Sequence, residues 1–378
     1  MKSTDILVRG AGPVGLAAAL ALSRQGFAVT LVGALQAPVA PDVRAYALNP
    51  ASVALLRSLK VWDALPADAR TAVQEMHVEG DAAGAAIDFS AWSMGLEALA
   101  WIVDAAELDK ALRAAAGFAP HLTLLDAATA EPVADLQVLA EGRDSAARRQ
   151  LGVDMPRHDY GQQGLAARLV SPQPHAGLAR QWFRSPDVLA LLPLDRPAFE
   201  GRTGHGLALV WSLPEAAAER LLALPDDDFT AALMDATGGA AGPLKLVGER
   251  ASWPLTMAHA DHLHGPGWVL LGDAAHVVHP LAGQGLNLGL ADVAALAAVM
   301  ADRNARESWR PLSDPRLLAG YARQRQGPTR VMAQTTDGLL QLFASQQPIV
   351  KELRNRGLSL LNHLPLLKRF LTGRAIGT

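Results

Sequence analysis

The residues best suited to hold a charged or hydroxyl-bearing ligand lie between Trp268 and Asp292. Four apolar residues, 268–271, predict a buried strand, and Asp273 follows its end. A glycine-rich turn, 280–285, then leads into a helix with apolar residues at helical spacing. The unpaired N–H groups and positive dipole at a helix start stabilise negative charge on a ligand. Because Asp273 can accept hydrogen bonds from hydroxyls, the stretch predicts a site for a hydroxyl-bearing group that becomes anionic.

A second candidate ligand site lies in the first 32 residues. An apolar strand runs into Gly10, Gly12 and Gly15, and an apolar helix and a second strand ending at Val32 follow. A G-x-G-x-x-G between a strand and a helix is the dinucleotide-binding fingerprint in its proper context. Gly10 makes the tight turn, Gly12 lets the backbone approach a diphosphate, and Gly15 permits close packing of helix on strand.

The elements that must position these two sites indicate an α/β chain of interleaved domains. A length of 378 residues favours more than one domain. Strands predominate from 156 to 257, and the chain then returns to the Asp273 stretch. We therefore expect a nucleotide-binding domain at 1–155 and 258–310, a β-sheet substrate domain at 156–257 and a helical C-terminal region at 311–378.

Composition excludes several functional classes. A net charge of −3 argues against nucleic acid as the main partner. The absence of cysteine excludes disulfides, thiolate zinc sites and cysteine nucleophiles. A strand begins within a few residues of the N-terminus, and the most apolar helix contains Asn287 and Asp292, so we expect a cytoplasmic protein without a signal peptide or membrane span.

Two other kinds of site are weighed and rejected. His259, His262 and His264 lack carboxylate or thiolate companions at ligand spacing, so we expect no metal site. His276 and His279 belong to the Asp273 stretch and are expected to pack beside its ligand. A serine hydrolase is excluded because the sequence has no G-x-S-x-G elbow.

The Asp273 stretch also resembles the motif of a known family. The run G-D-A-A-H-x-x-H-P-x-x-G-Q-G-x-N-x-G, from Gly272 to Gly289, is similar to the second flavin-binding motif of the aromatic-ring hydroxylases, the class A FAD monooxygenases. Shorter segments such as Tyr160–Gln162 resemble the ubiquinone-biosynthesis hydroxylases of that family. The resemblance implies FAD as cofactor, NADH or NADPH as co-substrate, and a p-hydroxybenzoate-hydroxylase-like fold. In that fold a Rossmann-type FAD-binding domain is interleaved with the substrate sheet, and a helical tail follows.

The resemblance also implies roles for individual residues. Asp273 would hold the ribityl chain, and Pro280 with the Gly283–Gly285 turn would line the isoalloxazine ring. Arg44 would lie beside the flavin, and Glu141-Gly142 would belong to an element that binds FAD and the nicotinamide. No catalytic side chain is expected, because the flavin carries the chemistry. The expected cofactor-binding residues are Gly10, Gly12, Pro13, Gly15, Arg44, Glu141, Gly142, Gly272, Asp273, Pro280, Gly283, Gln284, Gly285 and Asn287.

Three positions depart from the family pattern. Gly33 stands where the second strand usually ends in an acid that binds the adenosine ribose, and Gln36 is a possible substitute. Ala106 stands in place of a basic residue, and Glu141 in place of Asp. These departures favour an alternative hypothesis, a non-catalytic scaffold or lipid-binding subunit of a ubiquinone-synthesis assembly, whereas the intact Gly272–Gly289 motif opposes it.

The resemblance implies hydroxylation of a polyprenyl phenol with O2, and a hydroxylase of another aromatic metabolite remains an alternative. The tail from 345 to 374 has six basic residues against one acid, with leucines interleaved. Such a segment is either a solvated helical cap or a surface that docks on a partner or an anionic membrane. The docking alternative implies peripheral contact with the inner membrane, or with a ubiquinone-biosynthesis complex.

Overall fold

A computed structural model describes residues 4–36, 42–80, 85–278 and 284–344 of the chain. Within these ranges the backbone forms strands that join three sheets. In chain order the strands are β1 (Thr4–Arg9), β2 (Val29–Gly33), β3 (Ala45–Leu48), β4 (Arg70–Val73), β5 (Glu75–Glu79), β6 (Ala86–Ser90), β7 (Ala100–Asp104), β8 (Leu122–Asp126), β9 (Ala134–Leu139), β10 (Arg157–Val170), β11 (Leu178–Arg184), β12 (Asp187–Leu194), β13 (Gly206–Pro214), β14 (Lys245–His259), β15 (His264–Gly265), β16 (Trp268–Leu270) and β17 (His276–Val277).

Helices cover the sheets and close the described part of the chain. They are α1 (Pro13–Ser23), α2 (Pro50–Ser58), α3 (Ala91–Met94), α4 (Ala105–Gly117), α5 (Ala146–Gln150), α6 (Glu215–Leu222), α7 (Asp226–Thr237), α8 (Gln284–Arg306) and α9 (Pro315–Ala344). The sequence predicts Asn49 as the cap of a helix over 52–59. This cap is confirmed, since the Asn49 side chain accepts a hydrogen bond from Ser52 N at 2.8 Å.

The first sheet brings the two candidate ligand sites together. Its strand order is β15-β16-β9-β1-β2-β8, and β1, β9 and β16 run parallel to one another. Parallel strands end at the same edge of a sheet, so the turns that follow these three strands lie side by side. Those turns carry Gly10–Gly12, Glu141-Gly142 and Gly272-Asp273. The Rossmann-type sheet thus explains how residues more than 250 positions apart share one site.

The second sheet has eight strands in the order β17-β14-β10-β13-β12-β11-β5-β6. β10, β13, β12 and β11 pair antiparallel in that order, and β5 joins β11 in parallel, so β5 and β6 add two strands from outside 156–257. Alternate residues such as Leu165, Leu191 and Leu209 are buried on one face, in a core that includes residues of α6 and α7. The opposite face is turned toward the first sheet. A third sheet has three strands in the order β3-β7-β4.

The helix α8 is long and apolar enough to cross a membrane by length and composition. It contacts α1, α2 and α9, and Leu290, Val293 and Met300 are at most 1% exposed. Such contacts are typical of a helix in a protein core, and a core helix can meet the same criteria of length and composition.

The C-terminal helices differ from the expectation in one respect. The sequence predicts a helix over 321–330 and a separate one over 335–343, whereas the structure has one continuous helix, α9, with Pro328 inside it. A proline inside a helix removes one backbone hydrogen bond, but the remaining bonds can carry the helix past it. The helices predicted beyond residue 344 lie outside the described residues.

Candidate functional site

The glycine turn after β1 packs so closely that two of its glycines have no room for a side chain. Gly10 has a φ of +107°, and a Cβ there would lie 2.3 Å from the Ala140 carbonyl oxygen. A Cβ on Gly15 would lie 1.8 Å from the Gly10 carbonyl oxygen. A Cβ on Gly12, in contrast, would meet nothing within 4 Å. Gly10 and Gly15 therefore serve the packing, while Gly12 leaves open space for a ligand.

The start of α1 faces this open space without a side-chain cap. Gly12 is its N-cap, Pro13 occupies the first turn, and no side chain of the described residues accepts a hydrogen bond from the first-turn N–H groups. Pro13 has no N–H of its own, which the first helical position tolerates. The remaining N–H groups and the helix dipole are available to an anion such as a diphosphate.

The turn after β9 is held by Glu141, which the sequence singled out as a departure. One oxygen of its carboxylate accepts hydrogen bonds from Ser145 Oγ at 2.5 Å and from Ala147 N at 3.1 Å. The longer side chain thus reaches the first turn of α5 and closes the loop around Gly142, which has a φ of +80°. Glu141 and Gly142 also line the cavity described below, and their contact with a cofactor stays a prediction.

Arg148 connects this turn to the Asp273 segment. It is 3% exposed, and its guanidinium donates to the carbonyl oxygens of Arg143 and Ala274, each at 3.2 Å. Burial lowers the pKa of Arg148. The guanidinium therefore holds the backbone of Ala274, the residue after Asp273, in place.

Asp273 lies just beyond β16, and its carboxylate faces the cavity. Burial raises the pKa of Asp273, although His276, Arg143 and Arg44 oppose that effect. In the part of the chain that the structure describes, its side chain makes no hydrogen bond. A half-buried carboxylate without a partner loses part of its hydration, and a ligand that supplies hydrogen-bond donors offsets this cost.

A buried acid that the sequence did not assign to the site lies directly behind this segment. Asp292, on α8, is fully buried and accepts a hydrogen bond from Gly272 N at 2.9 Å. Its two oxygens also lie 2.7 Å from His276 Nε2 and 2.6 Å from Arg325 Nε. Burial alone would raise the pKa of Asp292, but His276 and Arg325 hold it below its usual value. The signal in the sequence was an acid between apolar residues of a helix.

Arg44 lines the cavity, but its guanidinium is paired with an acid and is not a free cation. Its guanidinium donates two hydrogen bonds to Asp42, at 2.7 and 2.8 Å, and Asp42 raises the pKa of Arg44. Its carbonyl oxygen accepts a hydrogen bond from Arg168 of β10. The neighbouring Tyr46 also lines the cavity, and burial raises the pKa of its phenol. The sequence did not single out Arg168 or Tyr46.

Asn287 ties the start of α8 to the segment that contains Arg44. Its side-chain oxygen accepts from Asn49 N at 3.0 Å and from Ser52 Oγ at 2.8 Å, and its nitrogen donates to Ala47 O at 2.8 Å. The expected cofactor-binding residue thus also has a structural role between elements. Gly285 and Asn287 line the cavity.

Some residues of the flavin motif cannot be placed. His279, Pro280 and Gly283 lie outside the described residues, and of Gln284 only the backbone, at the start of α8, is described. Gly272 is described and has a φ of +59°, which favours glycine at the sharp end of β16.

The three turns form one wall of a cavity of about 780 Å³ between the two large sheets. The opposite wall is the inner face of the eight-stranded sheet and is mainly apolar. Residues that form this wall are Met76, Phe89, Ala166, Val188, Ala190, Leu192 and Val210, with Gln181, Ser212 and Thr256 as its polar members. Within the described ranges, no group of three or more His, Cys, Asp or Glu residues is placed to hold a metal ion.

The polar wall fits the FAD that the motif resemblance implies. The unpartnered Asp273 carboxylate suits a ligand that carries several hydroxyls. The open space at Gly12 and the uncapped start of α1 suit a diphosphate. The two features lie at the same edge of the sheet, on the turns after β1 and β16 with the turn after β9 between them, and a dinucleotide is long enough to span both.

Comparison with known proteins agrees with this geometry. The family described as FAD binding domain matches residues 3–129 and 102–334. The ubiquinone hydroxylase UbiL of Rhodospirillum rubrum is 30% identical over 402 residues, an alignment that covers 100% of this chain and 90% of that protein. The 3-demethoxyubiquinol 3-hydroxylase of Escherichia coli is 31% identical over 401 residues and covers 100% and 99% of the two chains.

Solved structures show the same fold at lower identity. PqsL of Pseudomonas aeruginosa, in complex with 2-aminobenzoylacetate, matches 94% of this chain and 99% of its own with a TM-score of 0.78 and 21% identity. The p-nitrophenol 4-monooxygenase PnpA of Pseudomonas putida matches 98% of each chain with a TM-score of 0.74 and 16% identity. The expected α/β fold is confirmed.

Proposed function

This chain belongs to the FAD binding domain family, and on that basis we propose that it hydroxylates the aromatic ring of a polyprenyl phenol in ubiquinone biosynthesis. It is an FAD-dependent monooxygenase, and a reduced nicotinamide is the electron donor typical of the family. The enzyme interpretation is thereby confirmed over the non-catalytic scaffold. The substrate class is supported by the named activities of the two relatives, each of which aligns with the whole of this chain.

The residues of this chain bind, orient and exclude water, and do not themselves react. When bound, FAD would supply the redox chemistry, in which an aromatic ring, O2, a reduced nicotinamide and a proton give a hydroxylated ring, water and the oxidised nicotinamide. Asp273 accepts hydrogen bonds from the hydroxyls of the cofactor, and the first turn of α1 donates to its diphosphate. The first turn of α8 lines the cavity and presents a positive dipole end to charge that develops there.

The observation that carries this proposal is the contrast between the two walls of the cavity. One wall carries the cofactor turns. The other is a mainly apolar sheet face, whose polar side chains among the described residues include Gln181, Ser212 and Thr256. Small residues such as Ala166 and Ala190 leave space above the sheet. Such a wall binds a hydrophobic ring, whereas a charged benzoate would leave its carboxylate without a cationic partner there.

The proposal is tested by product analysis with the FAD-loaded protein. A geranyl-substituted phenol and p-hydroxybenzoate would be supplied separately with NADH or NADPH, and products would be measured by mass spectrometry. We expect one added oxygen atom in the geranyl phenol and far less product from p-hydroxybenzoate. A preference for the benzoate, or for an aromatic compound without a prenyl chain, would contradict the proposed substrate.

We further propose that the segment 345–374 attaches the enzyme to the inner membrane surface, where a water-insoluble substrate would be met. The segment lies outside the described residues, so its charge and apolar pattern alone support this proposal. Six basic residues against one acid give a charge of +5, and each basic residue near an anionic surface contributes about 1 kcal/mol. Attachment would be weak and salt-sensitive.

Vesicle co-sedimentation tests this attachment. Wild type should bind anionic vesicles at low salt and be released at high salt. A variant with Lys351, Arg354, Lys368 and Arg369 all changed to Gln should bind weakly at both. Changing Lys60, Arg202, Arg306 and Arg316 to Gln provides a charge-matched control outside the tail. Binding of wild type that responds neither to salt nor to the tail substitutions would show that the tail does not dock.

A further inference from the structure

The end of β2 lacks the acid that usually binds an adenosine ribose, and the structure shows that no side chain fits there. A Cβ on Gly33 would lie 2.6 Å from Ala11 N and 2.9 Å from Ala11 Cβ. A glutamate at this position would therefore force Ala11 or the end of β2 to shift. Gln36, the substitute suggested by the sequence, is exposed in the turn that follows.

A guanidinium from α4 reaches the same place. Arg113 Nη1 donates to the carbonyl oxygens of Ala34 at 3.0 Å and Leu35 at 2.9 Å. Arg113 Nη2 donates to the carbonyl oxygen of Ala11 at 3.0 Å, and Nε donates to Asp109 Oδ2 at 2.6 Å. The Arg113 and Asp109 side chains are 19% and 18% exposed. A guanidinium has five N–H donors, so these four bonds leave few donors for a ligand. We call this set of bonds from Arg113 to Ala11, Ala34, Leu35 and Asp109 the Arg113 clamp.

The clamp decides where the Gly12 N–H points. In a trans peptide, the carbonyl of Ala11 and the N–H of Gly12 point in opposite directions. Because Arg113 holds the Ala11 oxygen toward α4, the Gly12 N–H is turned away from α4. Gly12 lines the cavity, and nothing lies within 4 Å of where its Cβ would be. The same clamp fixes the backbone that follows β2 through Ala34 and Leu35.

We propose that Arg113, oriented by Asp109, is a positioning residue for the diphosphate and adenosine half of FAD. It aligns the Gly12 N–H with the diphosphate and secures the end of β2, and so compensates for the missing acid at Gly33. Its charge also favours a diphosphate nearby. The proposal depends on FAD binding by this family, and it is independent of the substrate proposed above.

The test compares FAD with riboflavin, which lacks the diphosphate and the adenosine. Binding of each to the apoprotein would be measured by quenching of flavin fluorescence. Arg113→Gln should weaken FAD about ten- to a hundredfold and leave riboflavin unchanged, since only the former contacts the clamped turn. Asp109→Asn and Arg113→Lys should give smaller losses in the same direction. Lys110→Gln, at an exposed position of the same helix, is the matched control and should change neither affinity.

A merely structural role predicts a different result. If Arg113 only stabilised the fold, both ligands would weaken together and the ratio of their affinities would stay that of wild type. An unchanged ratio in the Arg113 and Asp109 variants would overturn the proposal. Should Arg113→Gln fail to fold, the ratio in Arg113→Lys and Asp109→Asn decides the question in the same way. Product formation is not needed for any of these measurements, so a wrong substrate assignment would leave their result intact.

Discussion

Asp273→Ala is expected to purify without bound FAD, although its apoprotein folds. The Asp273 carboxylate faces the cavity without a hydrogen-bond partner among the described residues, and burial raises its pKa. A hydrogen bond to a charged group contributes about 1.5–3 kcal/mol, so each bond lost to a cofactor hydroxyl should cost about ten- to a hundredfold in affinity. The flavin absorbance of the purified protein and titration of the apoprotein with FAD measure the loss.

Stability should change in opposite ways in the two forms of this variant. In the apoprotein, removal of a half-buried carboxylate without a partner among the described residues relieves an unfavourable desolvation, so Asp273→Ala should be at least as stable as wild type. With FAD present, wild type should be the more stable, because only it gains free energy from the bound ligand. Asp261→Ala removes an exposed acid nearby and should retain its flavin. A full complement of FAD in Asp273→Ala would refute the assignment.

Asp292→Asn is expected to destabilise the protein strongly, even without cofactor. The substitution leaves Arg325 and His276 buried, at 7% and 2% exposure, without the carboxylate that joins them to Gly272 N. Breaking a buried pair by removing one partner costs about 3–5 kcal/mol. The midpoint of urea unfolding of the apoprotein should fall accordingly, and retained flavin should fall with it because Asp273 is one residue from Gly272.

The same helix offers a matched control for this prediction. Asp302, also on α8, pairs with Arg306 at 2.9 Å, but both side chains are largely exposed. Asp302→Asn should leave the unfolding midpoint almost unchanged, since exposed ion pairs contribute little. Equal effects of the two substitutions would mean that the Asp292 network does not stabilise the fold.

The stretch from 268 to 292 contains two acids, Asp273 and Asp292, whose environments are opposite. Asp273 has no protein partner in the described part of the chain and a raised pKa, whereas Asp292 has three partners and a lowered pKa. The first is suited to bind a ligand and the second to hold the backbone. Sequence spacing assigned the first correctly to the end of a strand, but it could not separate their environments.

The sequence by itself determined the features that depend on residues close together in the chain. The strand, glycine turn and helix of the first 32 residues could be predicted because hydrophobic period and glycine position are local properties. The cap at Asn49 and the strand before Asp273 were recognisable for the same reason. The family motif from Gly272 to Gly289 is likewise a contiguous run.

Only the tertiary structure decided the contacts between segments that lie far apart in the chain. The sequence does not indicate that Gly33 lies against Ala11, that Arg113 clamps both of their segments, or that Asp292 meets Arg325. β5 and β6 likewise join the eight-stranded sheet through a parallel pairing with β11, about a hundred residues later. Such contacts have no local period, because they are selected by the packing of whole sheets and by the need of each buried charge for a partner.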